Sequence, residues 1–250
     1  MISSSFIILE RVGFVTERKL WRCGIRTWDD FIGADRIERI SQFRKEIYDE
    51  ELLRAKRNLE IKKVQYFSKN LHKREHWRLY EKFKRDAVFF DIETTGLNPE
   101  RSKITTVSLY DGKNLKTLVH GHDLTRENLK REFERCKLLV SFYGSVFDLP
   151  FIEKKFGIKL DLPHFDLCFA SRRLGLKGGL KVCEKIYRIS RAEEVRGIDG
   201  LEAVRLWHRY ERGSLKALRK LIKYNQEDTK NLLPFAEIVY KKLYERIFRF

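Results

Sequence analysis

The sequence predicts an α/β protein in which a mixed sheet follows a small all-helical N-terminal domain. All four prolines lie beyond residue 98, so the first eighty-odd residues differ in composition from the rest. Short apolar runs typical of strands begin only near residue 87. Beyond that point strand-like and helical segments alternate, which is typical of a mixed α/β sheet. We therefore predict a helical domain at 1–83 and an α/β domain at 84–250.

The N-terminal region is expected to consist of helices. Residues 49–71 carry apolar side chains at a spacing that keeps one stripe on a single long helix, whose other face is mostly basic. Thr27 begins a Thr-x-x-Asp pattern typical of a helix start. The stretch Leu9–Phe31, with Gly13 in an apolar turn, resembles a helix-hairpin-helix DNA-binding module. Such a hairpin usually carries a second glycine where this chain has Val15, and ordinary helical packing is the alternative.

Each element of the C-terminal region is predicted from its apolar pattern and its turn residues. Short apolar or β-branched runs between turns indicate strands, and longer segments with helical spacing indicate helices. The chain after Pro163 is expected to be mainly helical. The predicted elements are strands at Ala87–Phe90, Ile104–Tyr110, Leu115–His120 and Leu138–Tyr143, and helices at 125–136 and Val146–Phe156.

The chain carries a large positive charge. Its 53 Lys and Arg residues outnumber its 36 Asp and Glu residues, which gives a formal net charge of +17. Such a field attracts polyanions, and nucleic acid is the first candidate. A heat-resistant protein is the alternative explanation for the many charges, but that trend raises both signs together. Because no apolar run approaches the roughly 18 residues that span a bilayer, we expect a cytoplasmic protein with no membrane partner. The sequence does not report an oligomeric state.

The spacing of cysteine and histidine indicates no zinc site. The four cysteines have no C-x-x-C pairing, and the six histidines form no H-E-x-x-H motif. We expect the cysteines to be buried reduced thiols. Any metal site in this chain would therefore be built from carboxylates.

Candidate carboxylates lie at the ends of predicted elements. Asp91 and Glu93 close the first strand, where period-two alternation places both side chains on one face and their charges crowd unless a cation binds them. Asp148 follows another buried strand, at a junction that can direct it to the same edge. Asp228 lies four residues after Tyr224 on a predicted amphipathic helix, so both side chains share one face. Four carboxylates suit two Mg²⁺ or Mn²⁺ ions, which prefer oxygen ligands.

These residues also carry a specific family resemblance. The sequence Asp91-Ile92-Glu93-Thr94-Thr95-Gly96-Leu97 resembles the first motif of the DEDD superfamily of 3′-to-5′ exonucleases. Phe147-Asp148 resembles the second motif, and Tyr224 to Asp228 the third. Lys223 stands where the His form of that superfamily has its histidine, so the chain resembles the Tyr form. The segment Phe142 to Phe151 further resembles a prokaryotic exonuclease family related to the proofreading domains of family B polymerases, as does the Gly-Gly-Leu-Lys at 178–181.

The resemblance implies both a fold and a reaction. It implies a ribonuclease H-like fold over roughly residues 84–240, with a mixed five-stranded sheet flanked by helices. It also implies a 3′-to-5′ exonuclease that releases 5′-mononucleotides from single-stranded DNA by a two-metal mechanism. DNA is favoured over RNA as the partner, and an exoribonuclease or a catalytically weak nucleic-acid-binding module are the alternatives. The implied residues are the metal ligands Asp91, Glu93, Asp148 and Asp228, the further catalytic residue Tyr224, and the substrate-binding residues Thr94, Leu97 and Phe147.

Other residues have simpler interpretations. The resemblance places Leu97 beside the terminal base, with a core position after a turn as the alternative. Asp166 is expected to cap a helix, and residues 175–181 to form a glycine turn that could contact a phosphate. Tyr143 stands where proofreading relatives usually have asparagine, a difference that affects substrate contacts and not the metal ligands. The tryptophans predicted to lie in the core are Trp28, Trp77 and Trp207.

Overall fold

The computed structural model describes residues 1–248 and contains a five-stranded mixed sheet flanked by helices. In chain order the strands are β1 (Ala87–Thr94), β2 (Ile104–Tyr110), β3 (Leu115–Val119), β4 (Leu138–Ser141) and β5 (His164–Asp166). Their order in the sheet is β3-β2-β1-β4-β5. The first three strands form an antiparallel meander, while β4 runs parallel to β1 and to β5. The predicted mixed sheet is confirmed.

Residues 1–86 form helices and no strand, as the sequence predicts. The predicted single helix at 49–71 is wrong, however, because the chain breaks into two helices there. Lys62 has a φ of 52°, in the left-handed region, which ends one helix before the next begins. Thr27 and Asp30 form the predicted capping box. The α-helices of this region are α1 (Phe14–Arg22), α2 (Trp28–Gly33), α3 (Gln42–Glu60), α4 (Val64–Asn70) and α5 (Tyr80–Phe83).

The glycine turn of the predicted DNA-binding hairpin lies directly before α1. Gly13 is the N-cap residue of α1, and the element that precedes it is the short 3-10 helix Phe6–Ile8. The glycine is therefore flanked by one α-helix and one three-residue turn of 3-10 helix. DNA binding by this segment stays a prediction.

The remaining helices cover both faces of the sheet. The helices α6 (Arg126–Glu134) and α7 (Asp148–Phe156) pack against the face that carries Phe90 and Ile92. The long helix α11 (Leu215–Phe248) lies across the face that carries Phe89. None of the described helices combines the length and the apolarity that crossing a membrane would need. Between α7 and α11 lie α8 (Leu167–Arg172), α9 (Leu180–Tyr187) and α10 (Gly200–Glu211).

The N-terminal helices share one hydrophobic core with the sheet and with the C-terminal half of α11. The ring of Tyr80 lies 5.5 Å from that of Phe165 on β5 and 5.5 Å from that of Tyr240 on α11. The predicted core tryptophans are buried, whereas the expectation for the cysteines fails at Cys23, which is exposed. Because the core is continuous across residue 83, removing residues 1–83 would expose the back of the sheet. The predicted domain boundary at 83/84 thus separates two parts that pack together.

Candidate active site

Strand β1 presents two carboxylates to α11. Phe90 and Ile92 point into the core beneath α6 and α7, so the alternation of a strand turns Asp91 and Glu93 to the opposite face. Oxygen atoms of Asp91, Glu93 and Asp228 all lie within 4.8 Å of one another. Glu93 and Asp228 are buried, and Asp91 is partly buried. The structure therefore brings together three of the four carboxylates predicted from the sequence as one cluster.

Helix α11 contributes Asp228 and is tied to β1 by an amide. The side-chain Nδ2 of Asn225 donates to Asp91 Oδ2 at 2.7 Å and to the Asp91 backbone carbonyl at 3.2 Å. Asn225 is fully buried. These two hydrogen bonds fix the helix against the strand at the level of the carboxylates. Sequence reasoning missed Asn225, although its place three residues before Asp228 puts it on the same helical face.

Asp148, the fourth predicted carboxylate, lies at the start of α7 next to β1. Its Oδ1 accepts a hydrogen bond from the backbone N–H of Ile92 at 3.2 Å, and its side chain is buried. The helix cap position belongs to Phe147, so Asp148 is the first residue within the helix. Asp148 does not belong to the cluster of Asp91, Glu93 and Asp228. Among the neighbouring charges, however, that of Asp148 raises the pKa of Asp91 the most.

The carboxylates of this site resist ionisation because they are buried together. Burial, followed by the charges of Asp148 and Asp228, raises the pKa of Asp91 well above its usual value. Burial and then Asp228 likewise raise the pKa of Glu93. Burial is also the main cause that raises the pKa of Asp148 to about 7, with a smaller contribution from Asp166. A divalent cation between these oxygens would remove the cost of their charges.

A buried arginine lies beside Asp228. The guanidinium of Arg191 forms ion pairs with Asp228 and with Glu184, and its side chain is 10% exposed. Glu184 is in turn held by the Nδ2 of Asn231 on α11 at 2.8 Å. Burial raises the pKa of Asp228, and Arg191 opposes that rise. No motif spacing pointed to this arginine, which lies in the segment between α9 and α10.

Tyr224 is held by a lysine. Lys181 Nζ donates to the phenol oxygen of Tyr224 at 2.9 Å and lies 4.6 Å from the centre of its ring. Asp228, one turn further along α11, is the charged neighbour with the largest effect on the pKa of the phenol. Burial, and then the charge of Asp228, raises the pKa of Tyr224 above its usual value of 10. The predicted turn at 175–181 is present, with Gly178 at a φ of 105°, and it leads Lys181 into α9.

The three predicted substrate-binding residues lie on either side of the carboxylates. Thr94 ends β1, and its hydroxyl donates to the carbonyl of Gly96 at 2.8 Å. Leu97 follows in the turn and is 85% exposed, so the alternative of a core position is wrong. The ring of Phe147 packs 5.4 Å from that of Phe151. Contact of these side chains with substrate stays a prediction.

The loop at 142–147 joins β4 to α7 and is anchored by Asp166. The carboxylate of Asp166 accepts hydrogen bonds from the backbone N–H of Tyr143 at 2.9 Å and of Ser145 at 3.0 Å. It also caps α8 through the N–H of Cys168, as the sequence predicts. A side chain on Gly144 would collide with the hydroxyl of Ser141. The loop therefore has a defined shape immediately before Asp148.

Comparison with models of protein families assigns most of the chain to one superfamily. The model of the RNase_H superfamily matches residues 88–240, which is more than half of the sequence. Comparison with curated proteins gives no match. The family match and the strand order agree with the ribonuclease H-like fold and with the resemblance predicted from the motifs.

Solved structures of similar shape include a nuclease, NrnC and a polymerase. A structure described as the apo form of a nuclease is 19% identical, with a TM-score of 0.50 over 65% of this chain and 75% of that one. NrnC of Brucella melitensis bound to pGG is 22% identical, with a TM-score of 0.49 over 67% of this chain and 78% of that one. The family B DNA polymerase of the hyperthermophilic archaeon Pyrobaculum calidifontis is 15% identical, with a TM-score of 0.52 over 61% of this chain and 24% of that one. At these identities, the likeness to the apo nuclease and to the polymerase shows a shared fold.

Proposed function

Because the chain belongs to the RNase_H superfamily, we propose that it is a metal-dependent nuclease that removes nucleotides one at a time from the 3′ end of single-stranded DNA. The observation that carries the proposal is the group of buried or partly buried carboxylates from β1 and α11, whose oxygens lie within 4.8 Å of one another. Asp148, on a third element, completes the set. Buried acids gathered in this way destabilise a fold unless a bound cation offsets their charges, and perturbed carboxyl groups of this kind cluster at active sites.

The donor set fits hard divalent cations. All four side chains offer carboxylate oxygens, which Mg²⁺ and Mn²⁺ prefer, and ligand oxygens less than 5 Å apart can reach one ion from different sides. We propose Asp91, Glu93, Asp148 and Asp228 as the ligands of two such ions. When bound, the ions supply the positive charge that activates a water molecule near neutral pH and stabilises the departing 3′ oxygen.

Tyr224 is proposed to position the attacking water. Its raised pKa keeps the phenol protonated, so the hydroxyl can orient water but cannot remove a proton from it. Lys181 holds the phenol oxygen in place through its hydrogen bond. Holding the water in line with the scissile phosphorus would speed the reaction, because it restricts the motion of the reactants to the reactive geometry.

The surroundings of the cluster support a single strand as the substrate. Leu97 is a large apolar side chain that is 85% exposed in the turn after β1, where it is available to a terminal base. A net charge of +17 supports binding to a polyanion. The preference for DNA rests on the resemblance to proofreading domains, and stepwise degradation of RNA is the alternative outcome of the test.

The test is incubation with single strands labelled at one end. Single-stranded DNA, duplex DNA and RNA, each labelled at the 5′ end, are incubated with Mg²⁺, with Mn²⁺ or with chelator. We expect a ladder of successively shorter single-stranded DNA products with either metal and intact strands with chelator. Labelling the 3′ end should instead release labelled mononucleotide from the start of the reaction.

Matched variants connect this activity to the cluster. Asp91→Asn preserves the shape of the side chain and removes one ligand charge, so it should abolish cleavage, while Lys223→Ala alters a neighbour of Tyr224 on another helical face and should cleave normally. A ladder that starts at the 5′ end would overturn the direction. Strand binding without cleavage in either metal would overturn the nuclease and favour a binding module.

A further inference from the structure

Two aromatic side chains lie next to each other at the loop that leads into Asp148. Tyr143 is 40% exposed, and the centre of its ring is 5.9 Å from that of Phe169 on α8, with the ring planes inclined by 32°. The guanidinium of Arg172, an exposed residue one turn along α8, lies 5.4 Å from the centre of the Phe169 ring. The group presents flat aromatic surface and a cation to solvent.

Folding does not require tyrosine at position 143. Its φ is 68°, in the left-handed region that costs a residue with a Cβ atom roughly 1–2 kcal/mol and that glycine enters freely. The hydrogen bond that holds the turn joins the backbone N–H of Tyr143 to Asp166, so it would survive any side chain. An exposed aromatic ring in a costly backbone conformation is a feature found at ligand-binding positions.

The loop places the backbone next to Tyr143 against a residue of the carboxylate site. Gly144, the next residue, approaches α7 so closely that a Cβ atom on it would lie 3.4 Å from the Cβ atom of Asp148. Asp166 also fixes the loop beyond it through Ser145. The ring of Tyr143 is therefore attached to a backbone that is held in place beside a proposed metal ligand.

We propose that Tyr143 and Phe169 form a stacking platform for a nucleobase of the single strand whose end lies at the carboxylates, and that Arg172 contacts the adjacent backbone phosphate. This proposal rests on the proposed function. Gly144, the residue after Tyr143, packs against Asp148, so a strand that ends at the carboxylates can extend to the platform. Aromatic rings accept any base because every base has a flat face, and a cation nearby suits the phosphate of the same nucleotide.

The experiment compares strands with and without bases. Binding is measured by fluorescence anisotropy in the Asp91→Asn background, with Ca²⁺ present, to labelled oligothymidylate and to an abasic strand of equal length. We expect Tyr143→Gly to weaken oligothymidylate binding about 5- to 150-fold, the range of about 1–3 kcal/mol per stacked base. Binding of the abasic strand should not change. Tyr143→Phe should bind both strands as the parent does, because it keeps the ring.

Two further measurements separate stacking from a structural role. Tyr143→Gly should match or exceed the parent in thermal stability, because glycine relieves the left-handed backbone. In the otherwise wild-type enzyme it should raise KM for oligothymidylate with little change in kcat. The control is Tyr244→Ala, which removes another exposed tyrosine about 24 Å further along α11 than Asp228 and should leave binding unchanged.

The outcomes distinguish this platform from the function on which it rests. Equal oligothymidylate binding by Tyr143→Gly and its parent would overturn the platform and leave the nuclease in place. An equal loss of affinity for the abasic strand would also overturn it, because the effect would then come from the shape of the loop. If the parent binds neither strand and the wild type cleaves none, the proposed function fails and the platform fails with it.

Discussion

Replacing Asp148 by asparagine should stabilise the metal-free protein at neutral pH and above. In the folded chain burial raises the pKa of Asp148 to about 7, whereas an aspartate in an unfolded chain titrates near pH 4. Asparagine has the same shape but no charge to bury. Its Oδ1 can still accept the hydrogen bond that Ile92 donates to the carboxylate.

The magnitude follows from the difference between the two pKa values. Because the folded pKa is the higher one, the stability associated with Asp148 is fully present below about pH 4 and is lost as the pH rises to about 7. A difference of about three pKa units corresponds to about 4 kcal/mol in the free energy of unfolding. Neighbouring carboxylates share protons with Asp148, which reduces the gain in the variant to about 2–4 kcal/mol at pH 8.

The assay is urea unfolding followed by circular dichroism, in chelator, at pH 4 and pH 8. The free energy of unfolding of the variant should exceed that of the wild type at pH 8 and equal it at pH 4. Mg²⁺ at pH 8 should stabilise the wild type more than the variant. Asp35→Asn, at an exposed position in the N-terminal region, is the matched control and should differ little from the wild type at either pH. If Asp148→Asn were less stable than the wild type at both values, the carboxylate would be a structural group and the reasoning would be refuted.

Three other predictions concern the reaction and binding. Asp91→Asn should lower cleavage of labelled single strands to background, as should excess chelator, and substantial cleavage in chelator would contradict the metal mechanism. Tyr224→Phe should lower kcat roughly 10- to 1,000-fold with little change in affinity. The kcat of Lys223→Ala should stay within a few-fold of the wild-type value. Wild-type turnover by Tyr224→Phe would show that Tyr224 is only a packing residue. The affinity for a single strand, measured across a salt series, should fall steeply as the salt concentration rises. Arg54 and Arg57 lie on the exposed face of α3. If the N-terminal helices contact the phosphate backbone of the strand, the double variant Arg54→Gln with Arg57→Gln should show a weaker salt dependence. An unchanged slope would exclude that face of α3 from the interface. Because the N-terminal helices share the core of the sheet, these charge substitutions are a better test than deletion of residues 1–80.

The sequence predicts those parts of the site that depend on local periodicity. Asp91 and Glu93 share a face because a strand repeats every two residues, and Tyr224 and Asp228 share one because a helix repeats every 3.6. The break at Lys62 was missed, because its left-handed backbone interrupts a stretch whose apolar spacing continues as if one helix ran through it. Pattern alone does not report such a backbone conformation.

The residues missed at the site interact across long distances in the chain. Arg191 reaches Asp228 from a segment 37 positions earlier, and Lys181 reaches Tyr224 from 43 positions earlier. Neither spacing has a period that a helix or a strand imposes. Their places depend on how α9 and the segment after it fold over α11, which is a property of the tertiary structure.

The hydrogen bond between Asn225 and Asp91 also bears on the order in which the protein folds. It joins positions 134 residues apart, and α11 contacts four of the five strands. Closing so long a loop is slow because the chain loses conformational entropy before the stabilising contacts form. A folding chain can therefore build the sheet meander from neighbouring segments well before α11 docks. Until it docks, Asp228 and Tyr224 are absent from the cluster. If the proposed function holds, an incompletely folded chain would therefore bind a single strand by charge alone and would not cut it.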